Sequence, residues 1–253
     1  MRNLRYLLLF TFILLHSNLT WSQTRLEFAT MQYPPYMQQT GATVQGLTID
    51  MVNEIFSRMN QPIQYRFYPW ARSLYLVENK QVDGLFTIKK TDEREQTMLF
   101  PKHPLLTQDY VFFVLKGSKV KFDGDYASLA NASIGVVDRT SYGNRFDTAV
   151  RENTFKHLDV AVSYELTFKK LLAGRMDTVI CSRLVGIHIL KQLNGLDRVT
   201  ISGPPSESAV SYLVFSRKPE NIPLVEQFDK IVAEMQQDGT MDIILSKYDH
   251  QLD

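Results

Sequence analysis

The stretch "LTIDMVNEIFSRMNQPIQYRFYPWARSLYLVENKQVDGLFTI", Leu47 to Ile88, decides the fold. Met51, Val52, Ile55, Phe56 and Met59 recur at helical spacing, while Asp50, Asn53, Glu54 and Arg58 fall off that face. "PIQYRFY" (Pro62–Tyr68) then alternates as a strand does, "WARSLYLVENKQ" is helical in composition, and "DGLFTI" returns to strand. "RLEFAT" (Arg25–Thr30) reads as a strand ahead of this stretch, followed by the turn-rich "MQYPPYMQQTGA". Strands alternating with helices at this spacing call for parallel βαβ units.

The pattern then restarts. "DYVFFVLKG" and "ASIGVVD" read as strands, "YELTFKKLLAGRMDTVI" as a helix running into a strand, and "SAVSYLVFSR" as one more strand. Two helices close the chain. Leu224, Val225, Phe228, Ile231, Val232 and Met235 form the stripe of the first, and Gly239 suits its stop. The expected fold is α/β with two lobes: residues 23–111, residues 112–210, and a return to the first lobe over residues 211–253. "DYVFFVL" and "AVSYLVF" are the expected crossings, with a hinge near Tyr110–Val114 and Ser208–Tyr212. Ligands of such open sheets bind beyond the carboxyl ends of strands, which here face a cleft between the lobes.

Residues 1–22 stand apart from this pattern. Arg2 and Arg5 precede an apolar run from Tyr6 to Leu15, which is too short to span a bilayer. The layout reads as a cleavable secretory signal peptide cut before Gln23, with no lipid-anchor cysteine nearby. Removing Arg2 and Arg5 leaves 26 basic residues against 27 acidic, a net charge of −1. Such a balance carries no global footprint for nucleic acid. Cys181 is the one cysteine, so no internal disulfide forms, and "DTVICSR" places it in a buried strand. The histidines are scattered, and neither a metal nor a cofactor is expected.

One polar run needs its own reading. In "FTIKKTDEREQTMLF" the residues Lys89 to Gln96 are all polar or charged, between apolar ends. An exposed, solvated turn is the ordinary explanation.

The order "YPPY", "GLTIDMVNEI", W-x-R-x-L, "VDGLFTI", "TDER", "IGVVDRTS", "LLAGRMDTVI" and "AEMQQDGT" resembles the extracellular solute-binding proteins of family 3. These are periplasmic amino-acid receptors of ATP-driven importers. The resemblance spans almost the whole chain after residue 22. It implies a periplasmic, monomeric clamp of the type II periplasmic-binding-protein fold, with a two-strand hinge, that captures a small solute and delivers it to an ABC importer.

The resemblance also assigns residues. Arg94 ends the T-x-x-R motif and pairs with the ligand's carboxylate, as a guanidinium fork can. Thr91 shapes the turn, and Asp92, Glu93 and Glu95 stay solvated. Thr140 and Ser141 offer the second lobe's half of the grip at a helix start, though they also suit a plain N-cap. Arg139 stands where glycine is usual. Tyr33 and Trp70 pack the ligand body, or are core aromatics, and Thr87 holds the ligand through its hydroxyl or carbonyl.

The departures concern charge. Thr30 and Ser182 fall where the resemblance implies carboxylates against a ligand ammonium. Lys89 replaces a small polar residue, and Arg72 brings another positive charge. Burying an ammonium without a charged partner is costly, so the expected ligand bears a carboxylate and is not a standard α-amino acid. Glu165 is the one acid expected within reach to restore a partner. Two alternatives share the scaffold: a dehydratase-like periplasmic enzyme using Lys89, His103 or Glu165, and a sensor that presents its closed form to a membrane signalling protein.

Overall fold

The computed structural model describes residues 24–248; the leader read over residues 1–22 lies outside them. In chain order the strands and helices are β1 (Leu26–Thr30), β2 (Gln38–Thr40), β3 (Thr43–Gln45), α1 (Leu47–Arg58), β4 (Ile63–Phe67), α2 (Trp70–Glu78), β5 (Gly84–Ile88), α3 (Asp92–Thr97), β6 (Met98–Leu99), β7 (Leu106–Leu115), β8 (Ser133–Val137), α4 (Asn144–Arg151), β9 (His157–Ala161), α5 (Tyr164–Leu172), β10 (Thr178–Ser182), α6 (Arg183–Gln192), β11 (Val199–Ser216), α7 (Ile222–Gln237) and α8 (Thr240–Ser246).

The strand order is β4-β1-β5-β11-β7-β10-β8-β9, with β6 also on β11 and β2-β3 a separate hairpin. On one side β1 lies parallel between β4 and β5. On the other, β8 lies parallel between β10 and β9. These are the βαβ units that the alternating pattern predicts. Two strands join them. β11 runs antiparallel to β7 from Val199 to Ser211, then to β5 and β6 from Tyr212 to Ser216.

Helix α1 buries Leu47, Ile49, Met51, Val52, Ile55 and Phe56, close to the expected face. In α7 the buried stripe is Phe228, Ile231, Val232 and Met235, with Leu224 and Val225 only half-buried. Phe56 packs its ring against Phe28, Phe215 and Phe228 at 5.0, 6.2 and 6.5 Å, so the C-terminal helix docks on the first half. Gly239, at φ 77°, makes the left-handed stop between α7 and α8. Cys181 is fully buried in β10, and burial raises its thiol pKa well above the ordinary value.

Two readings are corrected. Tyr110–Val114 pairs with Ser182–Thr178, inside the second half, so the crossing on β7 lies earlier, at Leu106–Asp109 opposite Ser211–Ser208. An apolar run looks the same whichever neighbour it pairs with, so its pattern does not mark where the partner changes. β11 also begins well before "SAVSYLVFSR" and passes through "GPPSES". A register shift between Ser202 and Glu207 takes Pro204 and Pro205 out of the ladder, where a missing N–H costs nothing.

Candidate functional site

The polar run resolves into a short helix with one buried side chain. Thr91 is the N-cap of α3, its Oγ1 accepting from the Arg94 N–H at 3.3 Å. Asp92, Glu93 and Glu95 are exposed, as read from the sequence, whereas Arg94 is only 7 % exposed. Capping thus turns a solvated segment so that one guanidinium points inward. Arg94 Nη1 donates to the Lys89 carbonyl at 2.8 Å and Nη2 to the Arg139 carbonyl at 3.0 Å. Its guanidinium lies 5.8 Å from the Trp70 ring centroid. Burial lowers its pKa, against opposing pulls from Asp147 and Glu78.

Strand β5 ends in a bulge. Ile88 pairs with Tyr212 and Phe86 with Leu213, leaving Thr87 unpaired at φ 65°. Left-handed backbone is strained for a β-branched residue and is kept where surrounding structure enforces it. The bulge accompanies the turn that brings Thr87 and Lys89 to the cleft. Lys89 is 6 % exposed. Its Nζ donates to Gln108 Oε1 at 2.9 Å and Ser211 Oγ at 2.5 Å and lies 4.9 Å from the Tyr110 ring centroid. Burial first, and the Arg94 charge second, lower its pKa to about 7, against pulls from Asp147 and Glu207.

These side chains meet others around one cavity lined by Met31, Tyr33, Met37, Trp70, Thr87, Lys89, Arg94, Tyr110, Thr140, Ser141 and Tyr164. Its volume, about 20 Å³ at the centres of water-sized spheres, holds roughly one water. The cleft is therefore closed. Trp70 Nε1 donates across it to the Arg139 carbonyl at 3.0 Å, and the Tyr33 and Tyr110 hydroxyls meet at 3.1 Å. Burial raises the pKa of Tyr33, Tyr110 and Tyr164, so none is an anionic partner near neutrality. A wider groove adjoins at Lys89, Arg94, Thr140 and Ser141.

Helix α4 starts beside Thr140 and Ser141, but its exposed N–H groups are already engaged. Asn144 N and Arg145 N donate to Glu207 at 3.0 Å each, and Tyr142 N to Asp147 at 3.0 Å. Ser141 Oγ donates to the other Asp147 oxygen at 2.5 Å. Thr140 Oγ1 is buried and has no hydrogen bond among the described residues.

Seven of the ten residues singled out in the sequence line the cavity: Tyr33, Trp70, Thr87, Lys89, Arg94, Thr140 and Ser141. Thr30, Ser182 and Arg72 do not. Thr30 and Ser182 are buried, their hydroxyls without hydrogen bonds among the described residues. Arg72 instead lies 5.6 Å from the Tyr75 ring centroid in its own helix. Glu165 stays outside, exposed and paired with Lys169 at 2.5 Å. His103 bonds Asp229 through Nδ1 at 3.0 Å and is absent from the lining. The sequence reading missed Met31, Met37, Tyr110 and Tyr164. It places Tyr110 in the hinge and Met31 and Met37 in the turn around Tyr33, but gives none of them a part in the cavity.

Two βαβ halves joined by two strands around a closed polar cleft define a two-lobed binding clamp. The chain belongs to the bacterial extracellular solute-binding proteins, family 3, whose family model matches residues 26–251. It is 26 % identical over 212 residues to the lysine/arginine/ornithine-binding periplasmic protein of Escherichia coli K12, covering 80 % of this chain and 78 % of that one. It is 22 % identical over 222 residues to the L-cystine-binding protein TcyJ of the same strain, covering 85 % and 79 %. An ancestral arginine-binding protein bound to arginine has the same fold, with TM-score 0.76 at 19 % identity over 88 % of this chain and 97 % of that one. No helix among the described residues is long and apolar enough to cross a membrane.

Proposed function

We propose that this chain is a monomeric periplasmic receptor that captures a small carboxylate-bearing solute by lobe closure and delivers it to the membrane subunits of an ABC importer. One observation carries the ligand class: none of the eleven cavity-lining residues is acidic, and two, Lys89 and Arg94, are buried cations without an ion pair among the described residues. A buried charge is costly unless an opposite charge and hydrogen bonds meet it. Arg94 has five N–H donors and uses two within the protein, which leaves donors for a carboxylate. An ammonium group finds no comparable acceptor here.

The lobes in this reading divide at the β7–β11 crossing, Leu106–Asp109 opposite Ser208–Ser211, a few residues from the bounds 23–111 with 211–253, and 112–210, read from the sequence. Tyr33 and Trp70 pack the solute body, while Thr87, Thr140 and Ser141 supply polar contacts. The test is a thermal-shift screen of α-amino acids against matched acids lacking the amino group. A ligand at 100 times its dissociation constant adds about 2.7 kcal/mol. Acids without the amino group should stabilise the protein. Stabilisation by amino acids alone would overturn the ligand class.

A further inference from the structure

We infer that the cleft selects a dianionic solute, with one anionic group on Arg94 and the second on Lys89, a dicarboxylate being the form that fits. This rests on the carboxylate reading above and adds which residue counts the second charge.

The inference starts from donors. A lysine ammonium has three N–H donors and no acceptor. Lys89 directs two at neutral oxygens, Gln108 Oε1 and Ser211 Oγ, and the residue lines the cavity. One donor remains, on a side chain more than nine-tenths buried.

A purely structural role accounts poorly for that arrangement. Ser211 Oγ already donates to Gln108 Oε1 at 2.8 Å, so these two groups satisfy each other without a cation. A neutral side chain at position 89 would avoid desolvating a charge beside a second one. The charged groups acting on Lys89 are Arg94, Asp147 and Glu207. The nearby acids are committed elsewhere: Asp147 to Ser141 and Tyr142, Glu207 to the start of α4. The Tyr33 and Tyr110 hydroxyls bond each other. Two like charges in an acid-free cavity repel one another, and one ligand carrying two negative groups relieves both.

Gln108 and Ser211 also fix where the second group must sit. They stand on β7 and β11 at the crossing, Gln108 opposite Ala209 and Ser211 opposite Leu106. The ammonium is thereby held on the hinge side of the cavity, while the Arg94 guanidinium is bonded to the Lys89 and Arg139 carbonyls. A ligand that meets both cations needs two anionic groups.

The test is isothermal titration of the full-length mature protein, from Gln23, with succinate and glutarate against butyrate and valerate, and with 2-phosphoglycolate. Dicarboxylates should bind at least tenfold tighter than chain-matched monocarboxylates. K89M should erase that ratio by weakening dicarboxylates more than monocarboxylates, and R94A should weaken both classes. Tighter binding of 2-phosphoglycolate than of either dicarboxylate would support the dianion and assign its second group to phosphate. Equal affinity for mono- and dicarboxylates, or a ratio that survives K89M, overturns this inference and leaves the carboxylate reading standing. If no carboxylate binds the wild type, the carboxylate reading falls first and this inference with it. Wild-type titrations at pH 8 in two buffers give a readout independent of any variant. Dicarboxylate should take up protons as Lys89 gains its counter-ion, and the same uptake with monocarboxylates would count against the assignment.

Discussion

Arg139 Nη2 donates to both carboxylate oxygens of Glu78, each at 2.9 Å, and so ties the loop after β8 to the last residue of α2 across the cleft. The carbonyl of the same residue accepts from Arg94 and Trp70. One residue thus latches the closed form twice, by side chain and by main chain. It does so at φ 55°, a backbone region that costs most residues roughly 1–2 kcal/mol and glycine nothing.

E78Q should therefore shift the protein towards an open form. A half-exposed ion pair contributes about 0.2–1 kcal/mol, so the closed population relative to the open one falls by up to roughly fivefold. Small-angle scattering should show a larger radius of gyration for E78Q than for wild type, and raised salt should move wild type the same way. R139G separates two effects: closure weakens, while relief of the left-handed backbone raises folding stability. An unchanged scattering profile in both variants would dismiss the latch.

Arg139 also shows what the sequence hides. The apolar stripes of α1 and α7 and the βαβ rhythm are local and could be read directly. Arg94 needed its motif, because composition alone puts it in a solvated turn. The contact between Arg139 and Glu78 spans 61 residues, and no periodicity encodes it. Nor does a sequence pattern show that Tyr164 tilts its ring to within 5.3 Å of Tyr33 and helps close the cavity. Thr30 and Ser182 were placed at the cleft by motif alone, and a motif carries no information about which larger side chains line the space instead.

Lys89 should make folding stability rise with pH. Its folded pKa is about 7, below the ordinary lysine value of 10.5, so between those limits the unfolded chain binds more protons. Stability then increases with pH across that window, and the penalty is fully present below pH 7. The shift corresponds to roughly 5 kcal/mol. K89M should accordingly be more stable than wild type at pH 7, with the gap shrinking towards pH 10. Urea unfolding at pH 6, 7, 8.5 and 10 measures it; a gap independent of pH would mean that Lys89 is not desolvated.

Glu207 should act as a stabilising cap from the crossing strand. Its carboxylate takes the N–H groups of Asn144 and Arg145, at the helix end that favours negative charge. E207A should cost about 1 kcal/mol, with part of the loss recovered by millimolar sulfate at the vacated N–H groups. G143A should cost more. A Cβ there would come within 2.4 Å of the Glu207 carboxyl carbon, at φ 116°. Chemical denaturation of both variants decides, and a silent E207A would show that water replaces the carboxylate without loss.

Trp70 provides a direct optical reading of the clamp. The chain has two tryptophans, Trp21 and Trp70, so protein produced from Gln23 onward carries Trp70 alone. Its ring is buried in the cavity wall, and its N–H is bonded across the cleft to Arg139. Opening breaks that bond and wets the indole, which shifts its emission to the red. E78Q should show the red-shifted spectrum before ligand, and a binding carboxylate should return it towards the wild-type position. W70F removes the bond but keeps an aromatic wall, so it should weaken closure more than ligand packing. Titrated by scattering, W70F should need more ligand than wild type to reach the same compact form. If E78Q and wild type emit identically with and without ligand, Trp70 does not follow lobe closure, and the bond to Arg139 is not part of the latch.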